Sequence, residues 1–298
     1  MLRPVHLMLL VTVVLWALNL TVTRYILQHG FGPLPYAVVR YGLASAIFVA
    51  IALVAERTLR LERRDLGLVA LAALLLWLNQ LAFVFALDTT SASTIALLLG
   101  ATPAFAALIG LALGLERMSR RFWAASVVSF AGVGLVAVGS GGGGVDASAR
   151  GILLGIATAA TWAGYSVAIA PLMARYSASR ISAVVLSLGW VAIAATGAPA
   201  AADQDFGAVS TWVWVLLLFA TLGPLVLTNV LWFRALGGIG PARATLIANL
   251  QPFAAALIAL VLLSERMTAL QVAGGLLIGG GILLARRPSR VSPSPAAE

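Results

Sequence analysis

Pro103-Ala-Phe-Ala-Ala-Leu-Ile-Gly-Leu-Ala-Leu-Gly-Leu-Glu-Arg-Met-Ser119 recurs as Pro252-Phe-Ala-Ala-Ala-Leu-Ile-Ala-Leu-Val-Leu-Leu-Ser-Glu-Arg-Met-Thr268, with 10 of 17 positions identical. The offset is 149, half of the 298-residue chain. The flanking segments agree. Asn79-Gln-Leu-Ala-Phe83 matches Asn229-Val-Leu-Trp-Phe233, and Leu15-Trp-Ala-Leu-Asn19 matches Thr161-Trp-Ala-Gly-Tyr165. The chain is therefore read as two repeats joined by the Gly-rich stretch 139–150, whose composition predicts a flexible linker. The first repeat occupies 1–138 and the second 151–287, leaving 288–298 as a disordered tail.

The stretches around the repeat are long and apolar. Nine runs carry no Asp, Glu, Arg or Lys: 4–23, 66–87, 89–115, 122–145, 151–174, 181–202, 206–233, 244–264 and 267–285. A tenth, 33–55, is interrupted only by Arg40. About 20 residues of helix cross about 30 Å of hydrocarbon, so the reading is an all-α polytopic membrane protein with ten transmembrane helices, five per repeat. Strands of a membrane barrel are about 10 residues long and alternate in polarity; these runs do neither. The composition agrees: 61% hydrophobic and 10% charged residues leave too little charge to cover a water-soluble globule. With no Cys, disulfide scaffolds, thiolate metal sites and cysteine nucleophiles are excluded. Arg3 before an apolar stretch resembles a signal peptide, but the run is long and Tyr25–Pro35 offers no small-residue cleavage site, so it reads as an uncleaved first helix.

The net charge of +9 comes entirely from arginine and sits in short clusters between apolar runs, which sets topology and does not indicate nucleic acid. With ten alternating spans, fifteen arginines fall on one side, and only Arg24, Arg150 and Arg266 on the other. Both termini are thereby expected in the cytoplasm of a bacterial inner (plasma) membrane, with the 139–150 linker outside. Five spans per repeat is an odd number, so the second repeat enters the membrane inverted. Inverted repeats recur in secondary transporters, because exchanging the conformations of the two halves opens the pathway alternately to each side.

The Pro-led helix ending in Leu-x-Glu-Arg-Met in both halves resembles the EamA repeats of the drug/metabolite transporter superfamily. Trp16 and Trp162 at the centres of spans 1 and 6, and Arg40 followed by Tyr41 in span 2, are similar to that family as well. The likeness covers about residues 5 to 286 and is greatest to YddG-type bacterial amino-acid exporters. It implies a multi-pass exporter of metabolites whose spans 1, 3, 4, 6, 8 and 9 surround a central cavity.

The polar and aromatic residues inside the spans supply the candidate substrate site, since such groups in lipid face a cavity or another helix. Span 1 offers Trp16, Asn19 and Thr23 on one face, and span 6 offers Trp162, Tyr165 and Ser166. Span 3 offers Trp77, Asn79, Gln80 and Phe83; span 8 offers Thr228, Asn229, Trp232 and Phe233. Span 4 adds Thr94 and Thr102 before Pro103, and span 9 adds Asn249 and Gln251 before Pro252. Aromatic walls, indole faces for an ammonium and amides that both donate and accept suit a zwitterion with an apolar part. The opposing reading is that Asn and Thr only join helices, at about 0.6 kcal/mol each.

Pro103 and Pro252 should kink their helices and act as matched gate hinges. Arg40, about 10 Å deep, is within partial snorkelling reach of the surface. It is placed to meet a substrate carboxylate or a backbone carbonyl, with the structural contact favoured. Trp212 and Trp214 read as interfacial residues, Trp123 and Trp190 as packing or lipid-facing ones. Gly110-x-x-x-Gly114, Gly151-x-x-x-Gly155 and Gly275-x-x-x-Gly279 read as close helix contacts.

Enzyme chemistry has no footing. His6 and His29 lie at opposite ends of span 1, and Gly141–Gly144 lacks the Lys of a nucleotide-binding loop. No catalytic residue, metal or cofactor is expected; the expected partners are a small solute such as an amino acid, and membrane lipid, with the protein a monomer or weak dimer. The competing readings are a proton-coupled metabolite or drug exporter and a membrane scaffold or receptor that does not transport.

Overall fold

The computed structural model describes residues 4–114, 120–140, 149–239, 248 and 250–285. Among them every regular element is helical. The first half contributes α1 (Pro4–Gln28), α2 (Pro33–Glu56), α3 (Leu66–Thr89), α4 (Ala92–Leu99), α5 (Thr102–Ala112) and α6 (Arg120–Ser140). The second contributes α7 (Ala149–Met173), α8 (Ala178–Ala202), α9 (Thr211–Thr221), α10 (Thr228–Ile239), α11 (Gln251–Leu262) and α12 (Ala269–Ala285). A π turn over Leu222–Leu227 makes α9 and α10 one continuous rod. Seven segments are long and apolar enough to cross a membrane, with α4–α5 counted as one span, and shorter apolar helices at 123–139, 251–262 and 269–284 complete ten.

Local chemistry sets the ends. Ser91, Ser177 and Ser210 each cap a helix by accepting a backbone N–H three residues on. Pro33 opens α2, where its missing N–H costs nothing, and Arg57 at φ 55° ends it. Thr268 and Gln271 form a reciprocal capping box at the start of α12: Thr268 N–H donates to Gln271 Oε1 (2.8 Å) and Gln271 N–H to Thr268 Oγ1 (3.2 Å).

Span 4 does not merely kink at Pro103; it breaks. Gly100 and Ala101 leave the helix through 3.0 and 3.1 Å bonds to Leu97 O and Leu98 O. Pro103 has no N–H for Leu99 O, and the Thr102 hydroxyl takes that carbonyl instead at 2.7 Å. Span 9 is discontinuous at the matched place, with Leu250 in a turn and Pro252 in the first turn of α11. The two breaks adjoin: a Cβ on Gly100 would sit 3.7 Å from Pro252 Cβ.

The repeats pack across one another. The main pairs are α6 with α12, α3 with α7, α2 with α8, α4 and α1 with α11, α5 with α7, and α1 with α10, together with α3 with α8 and its mate α2 with α9. Each joins one repeat to the other, and each is either its own mate under exchange of the halves or has a mate in the set. The pairs of equivalent helices are antiparallel, whereas α7 runs parallel to α4 and α5, with Gly155 on Leu98 and Gly164 on Ile109. Along α2–α8, Gly32 meets Gln204, Val38 meets Gly197 and Glu56 meets Arg180. Along α6–α12, a Cβ on Gly132 would lie 2.6 Å from the Gly274 carbonyl oxygen, so these backbones touch. Antiparallel pairing of equivalent helices is the geometry of an inverted duplication. One apolar core, including Phe31, Tyr36, Phe48, Leu87, Ile95, Leu172 and Ile193, runs through both halves. Of the three expected glycine stripes, those at Gly151/Gly155 and Gly275/Gly279 lie against neighbouring side chains. At Gly110, which is buried, and at Gly114 no described residue comes within contact distance of an added Cβ.

Candidate functional site

Three of the sequence candidates meet near mid-span. Trp16 Nε1 donates to Thr228 Oγ1 at 2.9 Å, and its ring lies 5.4 Å from that of Trp232. This joins α1 to α10 through an aromatic pair with one polar contact. On α7, Trp162 and Tyr165 form a second pair at 5.2 Å, with Trp162 40% exposed. The Ser166 hydroxyl, also on the exposed side, is turned back to Trp162 O.

Asn19, one turn along α1 from Trp16, accepts from Arg40 Nη2 at 2.9 Å. Arg40 does not snorkel: it is 3% exposed and its Nη2 also donates to Ala220 O at 3.1 Å. That carbonyl is free for a reason written in the chain. Its helical donor would be the N–H of residue 224, which is Pro224, inside the π turn. The Tyr36 and Tyr41 rings lie 5.7 and 5.9 Å from the guanidinium carbon, and Tyr36 hydroxyl pairs with Thr23 at 2.9 Å. Sequence reading missed Tyr36, Ala220 and Pro224; the proline inside an apolar run was the signal available for the last two.

Other candidates serve the bundle. Asn79 donates to Thr158 O (2.9 Å) and Thr161 Oγ1 (3.2 Å), joining α3 to α7. Trp77 turns to Thr196 of α8 at 3.3 Å, away from the Trp16 group. Asn229 donates to Leu225 O in its own rod, where the π turn has disturbed the ladder. Gln80 and Phe83 are buried in α3, Gln80 with its Nε2 lacking a partner among the described residues. Thr102 is occupied by Leu99 O, as above, and Gln251 is half-buried at the start of α11. Asn249 and the Phe233 side chain lie outside the described residues. Trp190 packs on Gly42 and donates to Val38 O, Trp123 and Trp212 are exposed, and Trp214 packs on Phe31 at 5.1 Å.

The charged groups gather at the two ends of the bundle. At the Arg-rich end, buried Asp65 pairs with Arg175 and accepts from Tyr176 hydroxyl at 2.7 Å, while Glu56 pairs with Ser177 and Arg180. The Tyr176 pKa is held above its usual value: the Glu62 N–H on its oxygen favours the phenolate, but the bond to Asp65 and the nearby acids outweigh it. Tyr176 therefore stays a donor at neutral pH. At the opposite end, Gln204 joins Gly30 and Gly32, and Arg24 caps the last carbonyls of α3 at Leu87 and Asp88. The α2–α8 pair is thus fastened at both ends.

A further contact was invisible in sequence. Ser264, at φ 51°, turns the chain after α11 so that Glu265 meets the N-terminus of α4. Its carboxylate accepts from Ala92 N (2.8 Å) and Ser93 N (2.9 Å), and Gln271 Nε2 donates to Thr94 Oγ1 at 2.9 Å. Thr94, a substrate candidate in sequence, belongs to this closure.

Residues 3–138 and 149–287 match the model of the EamA-like transporter family. A protein of Streptantibioticus cattleyicolor described as a probable terminal-alkyne amino-acid exporter is 29% identical over 284 residues, covering 94% of this chain and 92% of its own. A protein of known crystal structure superposes with a TM-score of 0.62 at 18% identity, covering 95% of this chain and 97% of its own.

Proposed function

The chain belongs to the EamA-like transporter family, and on that premise we propose that it exports small metabolites, amino acids with apolar or aromatic side chains among them, by alternating access and down the solute's own gradient. One observation carries the mechanism: antiparallel pairs of equivalent helices surround two broken spans whose outer halves, α4 and α11, are joined at one end by Glu265 and Gln271. Two such halves have two conformations of similar energy, related by exchanging the shapes of the repeats. The break at Gly100–Pro103 lets α4 and α5 move as separate rods, and the turn at Leu250 does the same for the start of α11.

The solute class follows from the Trp16–Trp232 and Trp162–Tyr165 pairs, which offer flat apolar walls with polar edges. The relative's description, an exporter of an amino acid ending in an apolar alkyne, supports the same class. The Arg-rich end is assigned to the cytoplasm of a bacterial inner membrane, with both termini there. Cysteines placed at Arg60 and Gly143 should label from opposite sides of the membrane; labelling from one side would overturn the inverted orientation.

The deciding experiment is reconstitution into liposomes with a radiolabelled amino-acid panel, aromatic members first. Saturable flux of at least one member is expected. A protein that binds an amino acid in a thermal-shift assay but carries none would be a receptor or scaffold, and the transport reading would fall.

A further inference from the structure

We propose that Arg40 is the anchor for the carboxylate of the transported solute, and that Asn19 holds its place when the site is empty. The assignment rests on the amino-acid reading above. A guanidinium carries five N–H donors. Two on Nη2 go to Asn19 Oδ1 and Ala220 O; Nε is buried without an acceptor, and no acceptor for Nη1 is found among the described residues. The Tyr36 and Tyr41 rings lie against the cation, and the Tyr36 hydroxyl is engaged with Thr23. No carboxylate pairs with it among the described residues; Asp65 and Glu56, which do form ion pairs across the repeats, lie at the far end of the bundle.

An unpaired charge buried at this depth is costly, and two neutral acceptors do not replace a counter-ion. A solute carboxylate supplies the missing charge. By displacing the Asn19 amide it meets Nε and Nη2 as a two-pronged fork, the strongest arrangement open to arginine. Asn19 and Trp16 are one helical turn, about 5 Å, apart along α1, so a carboxylate at Arg40 lays the rest of an amino acid against the Trp16–Trp232 pair. The freed carbonyl of Ala220 fixes the guanidinium from behind, so Arg40 is oriented before the solute arrives.

Asn19→Asp is the informative variant, because it keeps the shape and gives Arg40 an internal counter-ion that competes with the solute. The amino acid best carried by the wild type in the liposome panel is compared with its amide and its decarboxylated amine, by thermal shift in detergent and by uptake. The wild type should bind the acid at least tenfold tighter than either analogue. Asn19→Asp should melt higher without ligand, bind the acid at least tenfold more weakly and bind the amine as well as before. Arg40→Gln should lose the preference for the acid. If the wild type carries no amino acid, the proposed function falls and this assignment with it. If it carries one, and both variants keep the wild-type preference for acid over amide and amine, the Arg40 assignment alone is overturned.

Discussion

The Glu265 carboxylate receives the Ser93 backbone N–H at 2.9 Å, across 172 residues of sequence, and so fastens the turn before α12 to the N-terminus of α4. A helix N-terminus carries about half a positive charge, so the carboxylate is held by the dipole as well as by two hydrogen bonds. Hydrogen bonds to a charged group contribute about 1.5–3 kcal/mol each and neutral ones about 1. Glu265→Gln keeps the size and removes the charge. It should shift the population toward the state open at this end by about tenfold, the equivalent of about 1.4 kcal/mol. Spin labels at Thr89 and Arg266 read this directly. A longer distance should grow in for the variant, and an unchanged distribution would show that Glu265 does not hold the end closed.

The two aromatic pairs make a second prediction. Trp16→Ala and Trp162→Ala should each lower uptake at least about tenfold, roughly the loss of one stacking wall, while the proteins remain folded by size-exclusion profile. Thr228→Val removes only the acceptor of the Trp16 indole and should have the smaller effect, about two- to threefold, matching a neutral hydrogen bond of the lower range. Normal uptake by both folded Trp variants would make these rings packing residues.

Pro224 gives a prediction with opposing signs. Proline inside a helix costs about 3 kcal/mol, so Pro224→Ala should by itself stabilise the rod. The substitution also returns an N–H to Ala220 O, which Arg40 now uses, and a buried charged donor that loses its acceptor costs about 1–3 kcal/mol or more. The melting temperature should therefore change little while uptake falls several-fold. A variant that melts several degrees higher with full uptake would show that the Ala220–Arg40 contact is idle.

These contacts also mark how far the sequence could be read. The duplication, the all-helical class and a disturbance at Pro103, read as a kink, were legible because each is local: a motif, a run length, a missing N–H. The facing of α3 was not. Trp77, Asn79 and Gln80 lie within four positions on a helix apolar on every side, and a helix without a polar face has no period from which to tell inside from outside. In the structure Trp77 meets Thr196, Asn79 meets α7 and Gln80 is buried. Arg40 was legible as an exception but its partner was not, since Ala220 becomes an acceptor only through Pro224, 184 positions on. Glu265 read as a charged span end, and only the crossing of the repeats brings α4 to it.

The last prediction concerns energy coupling. A carrier that couples to protons needs a group in the pathway that loads and releases them, usually Asp, Glu or His with a shifted pKa. Among the described residues, Glu56, Glu62 and Asp65 lie at the Arg-rich end, and Asp88, Asp203, Asp205 and Glu265 at the other. Arg40 is the one charged side chain between the two ends among the described residues. Flux should then follow the solute gradient. In liposomes with equal solute on both sides, an imposed pH gradient should drive no accumulation, and a protonophore should leave counterflow unchanged. Of the end carboxylates, Glu265 holds α4 at its N-terminus, and its protonation would loosen that contact, because a neutral carboxyl accepts the Ala92 and Ser93 N–H groups more weakly. Uphill accumulation that collapses with the protonophore would overturn the facilitated mechanism. Its persistence or loss in Glu265→Gln would then decide whether the proton acts through that closure.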